Sequence, residues 1–183
     1  MAPKIYHLHP LVAGPLTEWP GHFAHCRDLG FDAVCLAPPF APGDGGDIFA
    51  TSEHEALHPA LGSRDSADDA LARAAESAAG HGLALLLDVA IDRVAANAAL
   101  RCLGDWFGDA DSPDPRRPCP PGLVYARFDR AEVAEHLTSW WIDRLVRLAQ
   151  AGLAGFRCLE PDSVPPPVLV KFPTPEVVEI TPA

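Results

Sequence analysis

Short apolar runs and amphipathic stretches alternate along the first 160 residues of the chain. The runs 31–37 and 83–90 are apolar on both faces, as parallel strands covered by helices must be. Between the runs, apolar residues recur at intervals of three and four, which predicts helices. The predicted strands are 4–9, 31–37, 83–90 and 153–159, and the predicted helices are 18–29, 66–79 and 131–150.

Capping residues bound two of the predicted helices. Thr17 has the side chain of an N-cap, and Gly30 suits the position after the last turn of the same helix. Ser66 or Asp65 is predicted to cap the next helix. The glycine-containing stretch 40–62 is predicted to be a long loop.

Residues 92–130 show no clear period, and within them 109–122 is predicted to be a polar, proline-rich loop. The remaining order, β-α-β-α-β-α-β with short turns, predicts an α/β fold with a parallel sheet and right-handed crossovers. An open doubly wound sheet and a closed (β/α) barrel both fit this order. No GxGxxG follows the first strand and no GxxxxGK[ST] is present, so nucleotide-binding folds of those types gain no support.

The charge of the chain limits the molecules it could bind, and its cysteines bear on whether it could hold a metal. The chain has 14 basic and 25 acidic residues, a formal charge of -11, which argues against nucleic acid and against an anionic membrane surface. A neutral sugar is compatible with this balance. The five cysteines are scattered without a CxxC, no signal peptide is evident, and no run of about 20 apolar residues occurs. We expect a cytoplasmic protein with no cofactor and no metal site.

Two charged residues interrupt the predicted strands near their carboxyl ends, where the active sites of such folds lie. Asp88 follows five apolar residues, and a buried carboxylate needs a partner. Arg157 has small or apolar neighbours, and Asp88 is the obvious carboxylate to pair with it across the sheet. Asp88 either caps a neighbouring loop or belongs to a site, and the pair is either structural or organises a site.

Histidines offer weaker candidates. His7 and His9 are two residues apart and face one side of the predicted strand, which suits two ligands but more often gives one buried and one exposed ring. His54 and His58 are four apart, but Pro59 follows directly and the region is not predicted to be helical. Neither pair predicts a metal site.

Several segments resemble the alpha-amylase superfamily of glycoside hydrolases, in the order in which that family has them. The segment 86–92 (LLDVAID) resembles the family's third-strand motif, and 155–159 (GFRCL) resembles its fourth-strand motif, Gly-Phe-Arg-x-Asp. The segments 19–32 and 57–62 (LHPALG) resemble the first helix with the second strand and the approach to the second helix. Pro161 and Pro165 keep the spacing found after the fourth strand in the maltosyltransferases that use maltose 1-phosphate to extend alpha-1,4-glucans.

The resemblance implies a (β/α)8 barrel of which the chain holds about the first four βα units, with residues 1–168 forming the partial barrel and 169–183 a proline-rich tail. It also implies a retaining mechanism with a carboxylate nucleophile two residues after Arg157. Leu159 stands there. Glu160 is adjacent, but strand alternation predicts that its side chain turns away from the barrel mouth, and Asp162 lies beyond Pro161.

The third-strand motif also departs from the family pattern, because Asp92 and Arg93 stand where the family often has Asn-His. The general acid and a further essential aspartate belong to later strands of the family's barrel. We therefore assign no catalytic residue. The expected substrate-binding residues are Asp88, Asp92, Arg157 and His58.

Three hypotheses follow. The first is part of an alpha-glucan maltosyltransferase-like barrel, a fragment or degenerate paralogue that is inactive alone. The second is a non-catalytic module that binds an alpha-glucan, such as a maltooligosaccharide, or a partner subunit. The third is an unrelated α/β enzyme in which Asp88 and Arg157 do other chemistry. A partial barrel would also expose strand edges, which predicts self-association.

Overall fold

The computed structural model describes residues 2–108 and 120–172. Strands and helices alternate through these two ranges. The strands are β1 (Ile5–Leu8), β2 (Ala33–Leu36), β3 (Phe40–Pro42), β4 (Thr51–Leu57), β5 (Ala84–Val89), β6 (Arg93–Ala95), β7 (Phe107–Gly108), β8 (Leu123–Ala126) and β9 (Gly155–Cys158). The helices are α1 (Pro10–Ala13), α2 (Trp19–Asp28), α3 (Ala67–Gly80), α4 (Ala131–Gln150) and α5 (Pro166–Leu169).

A four-stranded parallel sheet organises the molecule, in the order β1-β2-β5-β9. Its strands are the four that the apolar runs predict, so the predicted parallel α/β fold is confirmed. Each helix that joins two neighbouring strands returns the chain to the same end of the sheet, as parallel pairing requires.

The two faces of this sheet differ in burial. On one face Leu8, Leu36 and Leu87 are at most 4% exposed and share a core with Phe23 and Leu71 of the helices. Complete burial of each such side chain contributes about 1.5–3 kcal/mol to stability. The opposite face, here called the open face, is less covered. It carries Ile5, His7, Cys35, Leu86, Asp88 and Arg157.

Of the residues predicted to end or begin helices, Ser66 and Gly30 have the predicted roles and Thr17 does not. The Ser66 hydroxyl accepts from the Asp69 amide at 3.1 Å at the start of α3, as predicted. The prediction that Thr17 caps α2 is wrong. Thr17 lies within a 3₁₀ turn that runs directly into the helix, so Glu18 precedes the first turn and no side chain caps it. Gly30 follows α2 with a positive φ of 76°, as predicted for its position.

The prediction that 40–62 is a long loop is wrong, because this stretch contains the antiparallel strands β3 and β4. Its sequence hides the strand period: the pairing shifts register twice, and Thr51, His54 and Leu57 are buried at intervals of three. Residues 92–108 and 120–130 hold a second antiparallel sheet, in the order β6-β8-β7. These strands are two to four residues long, too short to show alternation.

Most of the predicted loop 109–122 lies outside the described residues, as do 173–183 of the predicted tail. The division at residue 168 stays a prediction, and α5 spans that position. Within 2–108 and 120–172, no helix combines the length and apolar character needed to cross a membrane.

Candidate functional site

Each of the four parallel strands contributes one side chain to a hydrogen-bonded cluster centred on Asp88. Arg157 donates to the two carboxylate oxygens through Nε at 2.6 Å and Nη2 at 2.7 Å. The Cys35 thiol donates to Oδ1 at 3.1 Å, and His7 Nε2 lies 3.0 Å from Oδ2. The predicted Asp88–Arg157 pair is therefore confirmed, and two further residues join it.

Register places these side chains together. Asp88 of β5 is directly opposite Arg157 of β9, and His7 of β1 is opposite Cys35 of β2. Cys35 is in turn opposite Leu86, two residues before Asp88, so all four side chains lie on the open face near the carboxyl ends of their strands. That end is where barrel folds carry their sites.

The contacts within the cluster determine the protonation states of Asp88, Arg157 and Cys35. Burial alone would raise the pKa of Asp88, but the hydrogen bonds from Arg157, Cys35 and His7 outweigh it and lower that pKa. Hydrogen bonding to Asp88 raises the pKa of Arg157. Burial, followed by the nearby Asp88 carboxylate, raises the pKa of the Cys35 thiol to about 12. At neutral pH the cluster is thus a carboxylate, a guanidinium and a protonated thiol.

The side chains of the cluster differ in how far they are exposed to solvent. The Asp88 side chain is 1% exposed, whereas those of Arg157 and His7 are 55% and 44% exposed. Arg157 and His7 border an open concavity of about 570 Å³, together with Ile5, Leu86 and Pro161. A ligand in this concavity meets the guanidinium of Arg157 and the ring of His7, whereas the Asp88 carboxylate is buried behind them. The arrangement suits recognition by hydrogen bonding.

A second cluster follows β5 and β9. Arg93 Nη1 donates to Glu160 Oε2 at 2.7 Å and lies 3.4 Å from Asp92 Oδ2. Asp92 is 2% exposed, and its Oδ1 has no hydrogen-bond partner among the described residues. Burial raises the pKa of Asp92 to about 6 against the opposing effect of Arg93. Asp92 is thus a buried neighbour of an ion pair, and its predicted role in substrate binding stays a prediction.

Leu159, at the position expected for a nucleophile, is half-buried, and its amide donates to the Val89 carbonyl at 2.9 Å. The strand alternation used to orient Glu160 does not reach it, because β9 ends at Cys158 and Glu160 has a left-handed backbone with φ of 46°. Its carboxylate turns to Arg93 instead. Asp162 is exposed in a 3₁₀ turn at Pro161–Ser163.

The remaining histidines make other contacts. His58 precedes a 3₁₀ turn, where its Nδ1 accepts from the Ala60 amide at 3.1 Å. Burial, then Arg144, lowers the pKa of His54 to about 3, so its ring is neutral. The Nδ1 of His9 is buried without a partner in the described part of the chain. No three His, Cys, Asp or Glu side chains within 2–108 and 120–172 are grouped to hold a metal.

The sequence does not single out Cys35, and it offers His7 either as a metal ligand or as one of a pair with one buried and one exposed ring. Each lies two residues before the end of a predicted strand and on the same face as Asp88. The signal that would have found them is the alignment of strand ends across a parallel sheet. The link from Arg93 to Glu160 joins residues 67 positions apart, and no short-range pattern marks it.

Comparison with known proteins agrees with this geometry. No family model matches the chain. The chain is 30% identical over 170 residues to the alpha-1,4-glucan:maltose-1-phosphate maltosyltransferase of Burkholderia pseudomallei (strain K96243). This match covers 90% of the chain and 15% of the maltosyltransferase, so the chain spans a small part of that relative's length.

Two solved structures have the same fold over most of the chain. An alpha-amylase from Lactobacillus plantarum matches with a TM-score of 0.68 and 17% identity, over 86% of this chain and 37% of that one. A maltogenic alpha-amylase from Thermotoga neapolitana matches with a TM-score of 0.65 and 17% identity, over 85% of this chain and 38% of that one. The predicted partial (β/α) barrel, with four parallel strands, is confirmed. The resemblance to the alpha-amylase superfamily, and within it to the maltosyltransferases, is therefore confirmed for this chain.

Proposed function

We propose that this chain forms an alpha-glucan-binding part of an alpha-amylase-type barrel and does not by itself form a covalent glycosyl intermediate. The observation that carries the proposal is the Asp88–Arg157 pair at the carboxyl ends of two neighbouring strands, beside an open concavity. The similarity to a maltosyltransferase supports an alpha-1,4-glucan or a maltooligosaccharide as the ligand.

Arg157 is the main ligand-binding group in this proposal. Its Nε and Nη2 donate to Asp88, and Nη1 makes no hydrogen bond to the described residues. A sugar hydroxyl can accept from Nη1, and the planar guanidinium keeps its orientation because Asp88 holds its other edge. His7 offers a second polar group at the same concavity. Asp92 and His58 remain further substrate-binding candidates, each adjacent to a strand end or a turn.

The state of the carboxylates near β9 supports the proposal that no covalent intermediate forms. A retaining mechanism needs a free carboxylate nucleophile and a carboxylic acid about 5–5.5 Å away. Leu159 has no nucleophilic atom, the Glu160 carboxylate is paired with Arg93, and that of Asp88 is buried among its donors. Asp162 is exposed, but it lies beyond the end of β9 in a 3₁₀ turn. These contacts support a binding role over glycosyl transfer.

Retention on an amylose column tests the binding role. We expect the chain to be retarded on amylose and eluted by maltose, and Arg157→Lys to be retarded far less, because lysine keeps the charge but loses the planar fork. Arg73→Lys is the matched control, since Arg73 pairs with Asp65 on an exposed surface. Equal retardation of all three chains would contradict the assignment of Arg157.

Turnover needs its own assay, the release of phosphate from maltose 1-phosphate in the presence of a maltooligosaccharide acceptor. We expect no release above that of buffer. Release that depends on the chain would contradict the claim that it forms no covalent intermediate, and would leave the binding result standing.

A further inference from the structure

His7 of β1 and Arg157 of β9 both contact one oxygen of the buried Asp88 carboxylate. His7 Nε2 is 3.0 Å from Asp88 Oδ2, and Arg157 Nη2 donates to the same oxygen at 2.7 Å. The two nitrogens are therefore no further apart than the sum of these distances. Both side chains border the concavity of the open face, so one ligand can contact the two together.

The contact with Asp88 determines which nitrogen of His7 carries the hydrogen. A neutral imidazole has one N–H donor and one bare nitrogen, which is an acceptor. Against the effect of burial, its hydrogen bonds lower the pKa of Asp88, and an ionised carboxylate only accepts. Nε2 of His7 must therefore be the donor, which leaves Nδ1 bare. Nδ1 makes no hydrogen bond to any residue that the structure describes, and the side chain is 44% exposed.

The free atoms of Arg157 have the opposite character. A guanidinium has N–H donors only, and Asp88 accepts from Nε and Nη2, so Nη1 remains for a ligand. The concavity thus presents a donor from Arg157 beside an acceptor from His7. Two neighbouring hydroxyls of a sugar ring satisfy both, because a hydroxyl donates through its hydrogen and accepts through its oxygen.

We propose that His7 is a specificity-determining residue of this concavity: its Nδ1 accepts a hydrogen bond from one hydroxyl of a sugar while Arg157 donates to the adjacent hydroxyl. The inference rests on the proposed sugar-binding function and adds to it the group that is recognised, a vicinal diol. Asp88 is the positioning residue of the pair, because it orients the His7 ring and the guanidinium through a single oxygen.

Nuclear magnetic resonance of the nitrogen-labelled chain tests the acceptor without any sugar. At about pH 8.5, where imidazoles are neutral, we expect the His7 ring in the Nε2–H form alone. The exposed His25 of α2 serves as the reference and should show a mixture of the two forms. The spectrum of His7→Gln identifies the His7 signals by their loss. A His7 ring that carries its hydrogen on Nδ1 would overturn the inference.

Two substitutions separate the acceptor of His7 from its support of Asp88. His7→Gln keeps both functions, because the oxygen and nitrogen of a carboxamide are attached to one carbon, as the two ring nitrogens are. His7→Lys keeps a donor for Asp88 and has no acceptor. In calorimetric titration with a linear maltooligosaccharide, we expect affinity within about threefold of wild type for His7→Gln and about tenfold weaker for His7→Lys. His25→Gln is the matched control and should bind as the wild type does.

The outcomes distinguish this inference from the function on which it rests. Binding by the wild type with equal affinities in His7→Gln and His7→Lys would overturn the inference and leave the sugar-binding proposal standing. No binding by the folded wild type would contradict both.

Monodeoxy analogues of methyl α-maltoside test the diol on the wild-type chain alone. Removal of either of two adjacent hydroxyls should weaken binding about tenfold, and removal of any other hydroxyl should weaken it far less. Losses at hydroxyls that are not adjacent would overturn the assignment of His7 and Arg157 to a vicinal diol.

Discussion

The Asp88 carboxylate, fully buried on β5, receives two hydrogen bonds from the half-exposed Arg157 of β9, at 2.6 and 2.7 Å. The pair therefore has a buried half and a solvated half. The buried carboxylate fixes the guanidinium, and the guanidinium presents its remaining edge to the concavity. The stability of the sheet and the proposed recognition of a sugar both depend on this pair.

Loss of the Asp88 charge should destabilise the fold by a moderate amount. We expect Asp88→Asn to lower the free energy of unfolding by about 1–3 kcal/mol, because charge-assisted hydrogen bonds are lost while Arg157 regains water. Urea unfolding followed by circular dichroism measures this. Asp65→Asn, in an exposed pair with Arg73, should leave the midpoint unchanged. An equal loss in both variants would contradict the special burial of Asp88.

Two carboxyls should contribute to the pH dependence of stability with opposite signs, beside the buried His54, whose pKa of about 3 makes stability rise as pH rises from about 3 to 6.5. The lowered pKa of Asp88 contributes stability that is present above its unfolded pKa of about 3.9 and is lost as pH falls through the lower folded value. The pKa of Asp92, raised by burial to about 6, acts in the other direction: the folded chain binds more protons between about pH 4 and 6, so this group lowers stability as pH rises through that window.

Asp92→Asn separates the two effects. Relative to the wild type, this variant should gain stability as pH rises from about 4 to 6, and it should leave the acid loss below pH 4 in place. The free energy of unfolding in urea, measured at several pH values, gives both slopes. If the wild-type and Asp92→Asn curves run parallel across this window, Asp92 is not the buried acid that titrates there.

Loss of the Arg144 side chain should destabilise the fold far more than loss of Arg147, one turn further along α4. The Arg144 side chain is 1% exposed, donates to the His54 carbonyl at 2.7 Å and pairs with Asp68, so it ties α4 to β4 and α3. We expect Arg144→Ala to cost about 3–5 kcal/mol, the range for breaking a buried ion pair. Arg147→Ala removes a half-exposed partner of Glu55 and should cost less than about 1 kcal/mol. Comparable losses in thermal or urea unfolding would contradict this difference.

Thiol reactivity should report the burial of the site. Cys102 is exposed, whereas Cys35 is buried and has a pKa of about 12, and Cys158 is half-buried with a pKa raised by burial to about 11. In the native chain at pH 8 a maleimide should label Cys102 at least tenfold faster than Cys35 or Cys158, because the thiolate is the reactive form. Peptide mapping by mass spectrometry resolves each site. Fast labelling of Cys35 would contradict its hydrogen bond to Asp88.

The sequence predicts the parallel sheet and the Asp88–Arg157 pair well, and for physical reasons. Strands buried on both faces leave unbroken apolar runs, and a charged residue inside such a run must find an opposite charge nearby. The contribution of Cys35 is harder to predict, because beyond the alignment of strand ends it depends on the register between β1, β2 and β5, which tertiary packing sets. The turn of Glu160 toward Arg93 depends on where β9 ends, and strand ends are weakly marked.

The sequence does not indicate the antiparallel strands, for a different reason. In β4 the side chains at positions 51, 54 and 57 are buried, so a bulged strand shows a spacing that is typical of neither strand nor helix. The Thr17 cap failed because a 3₁₀ turn feeds α2 without an extended residue between them. Both the strand β4 and the start of α2 depend on local backbone geometry, which the amino-acid composition does not reveal.

Isothermal titration calorimetry with a maltooligosaccharide of about seven glucose units tests the central claim most directly. The account predicts measurable, saturable heat for the wild-type chain, and an affinity at least tenfold weaker for Arg157→Lys. Unfolding curves of the two chains serve to confirm that both are folded. Absence of heat from the folded wild-type chain, or equal affinity in the two chains, would contradict the assignment of the Asp88–Arg157 concavity as an alpha-glucan site.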